Sequence, residues 1–478
     1  MFVGRERELA LLEAQLQKKT AQLIVIRGRR RIGKSRLVQE FSKRVGVKTL
    51  TFSGILPVKK TTAQSQREEF ARQMQTMGIP GVKADDWGNL FWHLAQQTQN
   101  SKVIIFLDEI SWMGTKDFDF LGKLKNAWDL HFSNNPDLTL ILCGSVSSWI
   151  EEKILNNPAF LGRISLKMHL DELPLYVCNK FWGPQAEQIS AYDKLKMLSV
   201  TGGVPRYLEE IQPRLPADDN IRALCFQKEG LLFSEFNNIF ADLFNNRSVI
   251  YEKIVQILAK GHFELEDLYR ELGIKKSGKI SLFLKNLILA GFVSRDFTWH
   301  VKDGKESKLS KYRLRDNYLR FYCKFIAPNK SKIERDEFLD RSLATLPGWD
   351  SLIALQFENL VLQNRKSIQA LLGLQLSDIV CSNPYFQRKT EQQEGCQVDY
   401  MIQTRHNFLY VVEIKFSRKP IPLQVVDEMK QKIERIKMPK HFSRLPVLIH
   451  VCGVEEEVLE TGYFAHVIDF GSLLTQSP

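Results

Sequence analysis

The 478-residue chain has little cysteine and none of it in pairs: Cys143, Cys178, Cys225, Cys323, Cys381, Cys396 and Cys452 are odd in number, scattered and nowhere spaced as CxxC. That excludes a disulfide framework and a zinc ribbon. No apolar run reaches the length of a membrane span, and "MFVGRERELALLE" lacks the basic, apolar, small-residue order of a signal peptide. A cytoplasmic protein with no membrane contact is therefore expected. Acid is also short, leaving a formal net charge of +12. Residues 1–250 carry +6, residues 251–330 carry +8 (17 Lys and Arg against 9 Asp and Glu), and residues 331–478 carry −2. An excess packed into so short a middle segment points to a local anionic partner.

What is present is enough apolar material for several cores. A hydrophobic fraction of 44% beside 26% charged residues is ordinary for a folded soluble chain, and the length suggests roughly three domains of about 150 residues. In "QLIVIRGRRRIGKSRLVQEF" an apolar strand runs into Gly28-Arg29-Arg30-Arg31-Ile32-Gly33-Lys34-Ser35 and then a helical pattern. This is G-x-x-x-x-G-K-S in its strand–loop–helix setting. Glycines let backbone N–H groups curl around phosphate, and the helix N-terminus adds partial positive charge. Lys34 would reach the β and γ phosphates, and Ser35 would ligate Mg²⁺. A second strand, "KVIIFLDEI", ends in Asp108 and Glu109, placed for the magnesium shell and for polarising water. A third, "LTLILCGS", ends at Ser145, which is either a γ-phosphate sensor or a strand-end cap. Arg29, Arg30 and Arg31 read as solvated loop charges. Trp87, Phe91, Trp92 and Trp112 read as core or lid packing rather than a base-stacking platform.

"FVGRERELALLE", the two Walker motifs, "LGR" at 161–163 and "GGVPRYLEEI" at 202–211 together resemble the archaeal-type ATPases of the AAA+/STAND branch over about residues 1–240. The resemblance implies ATP and Mg²⁺ as cofactors, assembly as a homo-oligomer, and a helical lid opening near Pro205. By the same resemblance Gly4, Arg5 and Glu6 lie near the adenine, Arg163 completes the chain's own site or a neighbour's, and Arg206 senses phosphate. For both arginines an ordinary surface charge remains the alternative.

Residues 250–297 read as three short helices, with a Lys-Lys-Ser-Gly turn before the third, and lead into two strands around Asp303-Gly304. Helix, helix, helix, wing is the order of DNA-binding winged helices. Lys275, Lys276, Lys279 and Lys285 on or before the third helix, with Lys302, Lys305, Lys308, Lys311 and Arg313 on the wing, would contact phosphates. A protein-docking winged helix is the alternative.

From about residue 350 the pattern becomes helix, antiparallel strands, helix, strand. In the hairpin around Arg405-His406-Asn407, residues whose numbers sum to 812 face each other, which sets Asp399 opposite Glu413. Glu413 and Lys415 share a face with Leu409 and Val411. Paired carboxylates of this kind suit Mg²⁺ or Mn²⁺, and a nearby lysine can orient water. Asp…Glu-x-Lys resembles the core of the PD-(D/E)XK nucleases, in which Glu358 would be the additional acid and Gln424 a polar helix residue. A charged edge hairpin, or a nuclease-like fold that only binds, stays open. The expected fold class is α/β: a P-loop AAA+ ATPase core (1–170) with a helical lid (171–248), a winged-helix domain and hinge (249–330), and a C-terminal restriction-endonuclease-like α/β domain (331–478). The expected catalytic set is Lys34, Glu109, Arg163, Glu413 and Lys415. Gly28, Gly33, Lys34, Ser35, Arg36, Asp108, Ser145, Pro205 and Arg206 would bind nucleotide; Ser35, Asp108, Glu358, Asp399 and Glu413 would bind metal. The expected activity is ATP hydrolysis coupled to nucleic acid, DNA in the first instance; the rival is a STAND-type signalling ATPase.

Overall fold

Gln22–Gly28 is apolar on both faces, and such a strand needs sheet on both edges and helices on both sides. It finds them in a five-stranded sheet of order β2-β3-β4-β1-β5, every pair parallel. The strands are β1 (Gln22–Gly28), β2 (Lys48–Ser53), β3 (Val103–Asp108), β4 (Leu138–Ser145) and β5 (Ile164–Leu170). Helices α1 (Glu6–Leu16) and α2 (Lys34–Val45) bury Leu9, Leu12, Leu37, Val38 and Phe41 against Ile24, Ile26, Ile104 and Phe106. The other face packs Val25, Phe52, Ile105 and Leu140 with Phe70, Trp87 and Phe91. Trp87 and Phe91 stack on each other at 5.4 Å, each 1% exposed, so they are core and present no platform for a base. Trp112 is half-buried, and Trp92 is exposed.

This computed structural model describes residues 2–58, 60–114, 116–145, 148–244, 248–276, 278–338, 342–391 and 393–475. Contacts divide the chain into two compact units, Met1–Glu172 with Leu289–Gly291, and Leu173–Ile288 with Phe292–Pro478.

In the second unit, helices Ala191–Thr201, Pro205–Leu208, Ala217–Cys225 and Leu231–Phe244 precede α3 (Ser248–Leu258), α4 (Leu265–Leu272) and α5 (Gly278–Leu289). Of the expected Lys-Lys-Ser-Gly turn, Ser277 lies outside the described residues. Strands β6 (Val293–Trp299) and β7 (Glu306–Leu314) form an antiparallel hairpin, and Gly304 takes φ 68° at its tip. Helix α6 (Trp349–Gln363) leads to a sheet of order β12-β11-β10-β9-β8. Its strands are β8 (Ile379–Gln387), β9 (Cys396–Thr404), β10 (Phe408–Ile414), β11 (Ser443–His450) and β12 (His466–Asp469). Pairs β8–β9 and β9–β10 are antiparallel; β10–β11 and β11–β12 are parallel, and α7 (Gln424–Arg435) is the crossover.

The β6–β7 hairpin is seated on this sheet. Trp299 Nε1 donates to Gln403 Oε1 at 2.6 Å, and Gln403 Nε2 donates to the Val301 carbonyl at 3.0 Å. Any side chain at Gly304 would run into Val380, its Cβ only 2.4 Å from Val380 Cγ1. Arg313, expected on a solvated wing, is 6% exposed and forks onto Asp296 (Nε–Oδ2 2.7 Å, Nη2–Oδ1 3.2 Å), with Nη1 on Asn359 Oδ1. The register explains it: the strand ends in the buried run Tyr312–Leu314, and a guanidinium there needs a buried acid. Lys311 is half-buried with its ammonium 4.7 Å from the Phe386 ring centre. Both corrections leave Lys302, Lys305 and Lys308 as the exposed cations of the β6–β7 hairpin.

Candidate functional site

The first site is built at the C-terminal edge of the parallel sheet, where β1, β3 and β4 release their chains. Gly33 caps α2 at φ 89°, a conformation that suits glycine. A Cβ at Gly28 would stand 2.8 Å from the Leu170 carbonyl, so only glycine permits this approach of loop to β5. Lys34 is buried, its ammonium donating to the carbonyls of Gly28 (3.1 Å) and Arg29 (3.2 Å), which curls the loop around it. Ser35 Oγ donates to Asp108 Oδ2 at 2.6 Å, joining the two expected magnesium ligands directly. Asp108 Oδ1 accepts from the Glu109 N–H at 3.1 Å. Glu109 takes φ 49°, a left-handed conformation rare outside glycine, and this strain turns its carboxylate toward Ser145. Ser145 donates from both N and Oγ to Glu109 at 3.4 Å. Burial pushes the Glu109 carboxyl up, against the pull of Lys34 and with the push of Asp108. A half-buried acid with raised proton affinity beside a phosphate loop is suited to accept a proton from water.

Arg36 is exposed on α2, with its backbone at the phosphate-facing end of the helix. Arg29, expected in solvent, is instead 6% exposed and paired with Glu172 at 3.2 Å. Arg5 Nη2 donates to Asp171 O (2.6 Å) and Ile32 O (3.3 Å), tying the leading segment to the phosphate loop. Arg163 is not at this edge. It precedes β5, whose seven residues separate it from the Leu170–Gly28 end by roughly 20 Å at about 3.3 Å per residue. There it forks onto Asp129 (2.6 and 2.9 Å), holding that carboxyl down at about 2. It therefore cannot complete its own chain's site. Pro205 opens the helix Pro205–Leu208 in the second unit, where Arg206 pairs with Glu209 (3.6 Å) and with Glu210.

The second site lies on the β9–β10 hairpin. Its pairs run from Leu409–Gln403 to Val412–Tyr400, all in the predicted register, and the next pair in that register is Glu413–Asp399. Asp399 Oδ2 accepts the Ile414 N–H at 3.2 Å, so the side chain closes the end of the ladder. Glu413 is 6% exposed; Lys415 Nζ lies 3.0 Å from Oε1, and Lys432 of α7 bonds Oε2. Lys415 also reaches Glu428 at 2.9 Å. Burial works against the Lys415 charge, but Glu428 and Glu413 outweigh it and raise the ammonium to about 12. Burial, then Glu413, pushes Asp399 up; burial, then Asp399, pushes Glu358 of α6 up, against Arg320 and Arg313. The three carboxylates thus act on one another, with Lys415 and Lys432 on one side and Arg320 and Arg313 on the other partly offsetting them.

Among the described residues, however, no three His, Cys, Asp or Glu side chains group closely enough to hold a metal ion. The expected three-ligand set of Glu358, Asp399 and Glu413 is not assembled, because Lys415 and Lys432 occupy the Glu413 carboxylate. Sequence reasoning missed Lys432 and Glu428 and named Gln424, which is exposed at the start of α7. The signal was available in "QVVDEMKQKIER": with Val425, Val426, Met429 and Ile433 facing the core, Lys432 and Glu428 each sit one residue from an inward position.

Residues 2–211 match the model of an ATPase domain predominantly from Archaea. An uncharacterized protein of Methanocaldococcus jannaschii is 28% identical over 343 residues, covering 71% of this chain and 72% of the relative. An uncharacterized ATP-binding protein of the same organism is 42% identical over 48 residues, 10% of this chain and 81% of its own. A Walker-type ATPase of Pyrococcus abyssi superposes with a TM-score of 0.50 at 15% identity, covering 68% of this chain and 96% of that one. No described helix is long and apolar enough to cross a membrane.

Proposed function

From an archaeal-type ATPase domain at residues 2–211, we propose that this chain hydrolyses ATP and uses the turnover to act on nucleic acid, with a nuclease-like C-terminal domain as its working end. The observation that carries the first half is the constellation of buried Lys34, the Ser35–Asp108 bond and the Glu109–Ser145 pair at one sheet edge. The donor set fits ATP with Mg²⁺: a glycine cradle that a Cβ would fill, a buried ammonium, and a hydroxyl and carboxylate already side by side. Lys34 would hold the β and γ phosphates, and Ser35 and Asp108 would hold the magnesium, whose charge offsets that developing on the phosphates. Glu109 orients and deprotonates the attacking water, and Ser145 fixes its carboxylate. Arg206 would meet phosphate only on leaving Glu209 and Glu210. Arg163 would serve a neighbouring subunit of a homo-oligomer. The test is phosphate release: Lys34→Ala should abolish it, and Glu109→Gln should slow it by roughly 100-fold or more while nucleotide still binds. Equal turnover by Glu109→Gln and wild type would remove Glu109 from the reaction.

The nucleic-acid half is supported by Lys275, Lys279, Lys302, Lys305 and Lys308, all exposed on the basic segment. The Asp399–Glu413 pair would take a divalent cation between its carboxylates only on displacing Lys415 and Lys432 from Glu413. A second reading, binding without cutting, rests on Lys432: its ammonium on Glu413 supplies the positive charge that a cation would otherwise bring. Incubation of single- and double-stranded DNA and RNA with Mg²⁺ or Mn²⁺ separates the two. Cleavage by wild type that Glu413→Ala lacks supports the nuclease; salt-sensitive binding with no cleavage supports the second reading.

A further inference from the structure

One groove has no place in the nucleotide site or the carboxylate pair. Where the β6–β7 hairpin sits on β8, a cleft of about 600 Å³ opens, with Trp299, Tyr385 and Phe386 in its floor. Lys302 comes from the hairpin side, and Arg388 and Lys437 from the C-terminal domain; no Asp or Glu lines it. Arg388 pairs with Glu264 at the margin. Lys302 and Lys437 make no ion pair among the described residues, and Lys302 is exposed. Two unpaired ammonium groups over an apolar floor create a locally positive, partly desolvated surface that attracts an anion carrying flat apolar groups.

The groove does not close. It shares Gln393 and Lys437 with a second hollow of about 820 Å³, bordered by α7 through Gln431, Glu434 and Arg435, where Lys389, Arg435 and Lys437 are balanced by Glu391, Glu394 and Glu434, so the net positive stretch is the first cleft. The same helix carries Lys432 to Glu413. An open, two-part channel suits a chain rather than a small molecule.

We infer that this groove binds a single nucleic-acid strand, with phosphates on Lys302 and Lys437 and sugar and base against the Trp299–Phe386 floor, and guides it along α7 toward the Asp399–Glu413 pair. The inference rests on the nucleic-acid reading above and names the strand state and path. It also accounts for a C-terminal domain that is acidic overall yet needs an anionic substrate, since the groove takes Lys302 from the basic hairpin.

The test is fluorescence anisotropy with a labelled 20-mer, as single strand and as duplex, on full-length Glu413→Ala protein, which cannot cut through that carboxylate. Adding Lys302→Glu and Lys437→Glu should weaken single-strand binding roughly tenfold or more and reduce the slope of log affinity against log salt by about 1.4. Lys275→Glu with Lys279→Glu, just before and at the start of α5, should weaken duplex binding more than single-strand binding. ATP hydrolysis, housed in the other unit, should persist in every variant, and an unchanged urea unfolding profile reports that the groove unit is folded. Unchanged single-strand affinity on reversing the groove lysines overturns the inference while the nucleic-acid reading stands. A mononucleotide that binds as tightly as the 20-mer also overturns it. Failure of the Glu413→Ala protein to bind either strand form overturns both readings.

Discussion

Replacing Arg313 by alanine separates a structural arginine from a nucleic-acid contact. In the sequence Arg313 belongs to a basic wing; in the fold it is 6% exposed beside Asp296, 5% exposed. Burial alone would raise the Asp296 carboxyl, but the guanidinium outweighs it and holds it below the usual range. Deleting the cation strands a buried carboxylate and also removes a donor to Asn359, so a cost of roughly 3–5 kcal/mol is expected. Asn359 itself keeps its bonds to Leu314 O at 3.2 Å and Asn317 Oδ1 at 3.0 Å, so the loss should trace mainly to Asp296. Arg313→Met with Asp296→Asn removes both charges and should recover more than half of that loss. Urea unfolding of the full chain measures both variants, with ATP hydrolysis in native buffer as the control for the other unit. A loss below about 1 kcal/mol for Arg313→Ala, together with weakened nucleic-acid binding at unchanged stability, would refute the reasoning and return Arg313 to the phosphate-contacting surface.

Other consequences follow from the same geometry. Burial, reinforced by Arg313 and Arg320, pushes the His262 imidazole down to about 4. Below pH 6.5 the unfolded chain takes a proton that the folded chain refuses, so stability falls between about pH 6.5 and 4 by up to about 3 kcal/mol. His262→Gln should flatten part of that slope in urea titrations at stepped pH. Arg163→Ala should leave nucleotide affinity unchanged, because the residue stands at the far edge of its own sheet; a fall in turnover confined to high protein concentration would identify a neighbour's site. Gly28→Ala should weaken nucleotide binding more than Gly122→Ala, since a Cβ at Gly122 meets nothing within 4 Å; equal affinities would refute the close-approach argument.

The phosphate loop was legible because its chemistry is local: the six residues Gly28–Gly33 and a helix start fix where Lys34 and Ser35 go. The hairpin register was legible for a similar reason, since a short turn fixes cross-strand pairing. Charge partners were not. Arg29, Arg313 and Glu413 each read as loop, wing or ligand, and each is satisfied by a residue on another element: Glu172, Asp296 or Lys432. Spacing says which face a charge takes, not which distant element brings its counter-ion. Arg163 illustrates a different limit. The motif "LGR" marked a functional arginine, but only the parallel pairing of β5 with β1 places it at the wrong edge for its own nucleotide.

The most direct test of the account is ATP turnover by the full-length protein with and without saturating single-stranded DNA or RNA. The account predicts Mg²⁺-dependent phosphate release that changes severalfold when strand is bound, and that vanishes in Lys34→Ala. Turnover indifferent to bound strand, or retained by Lys34→Ala, would contradict it.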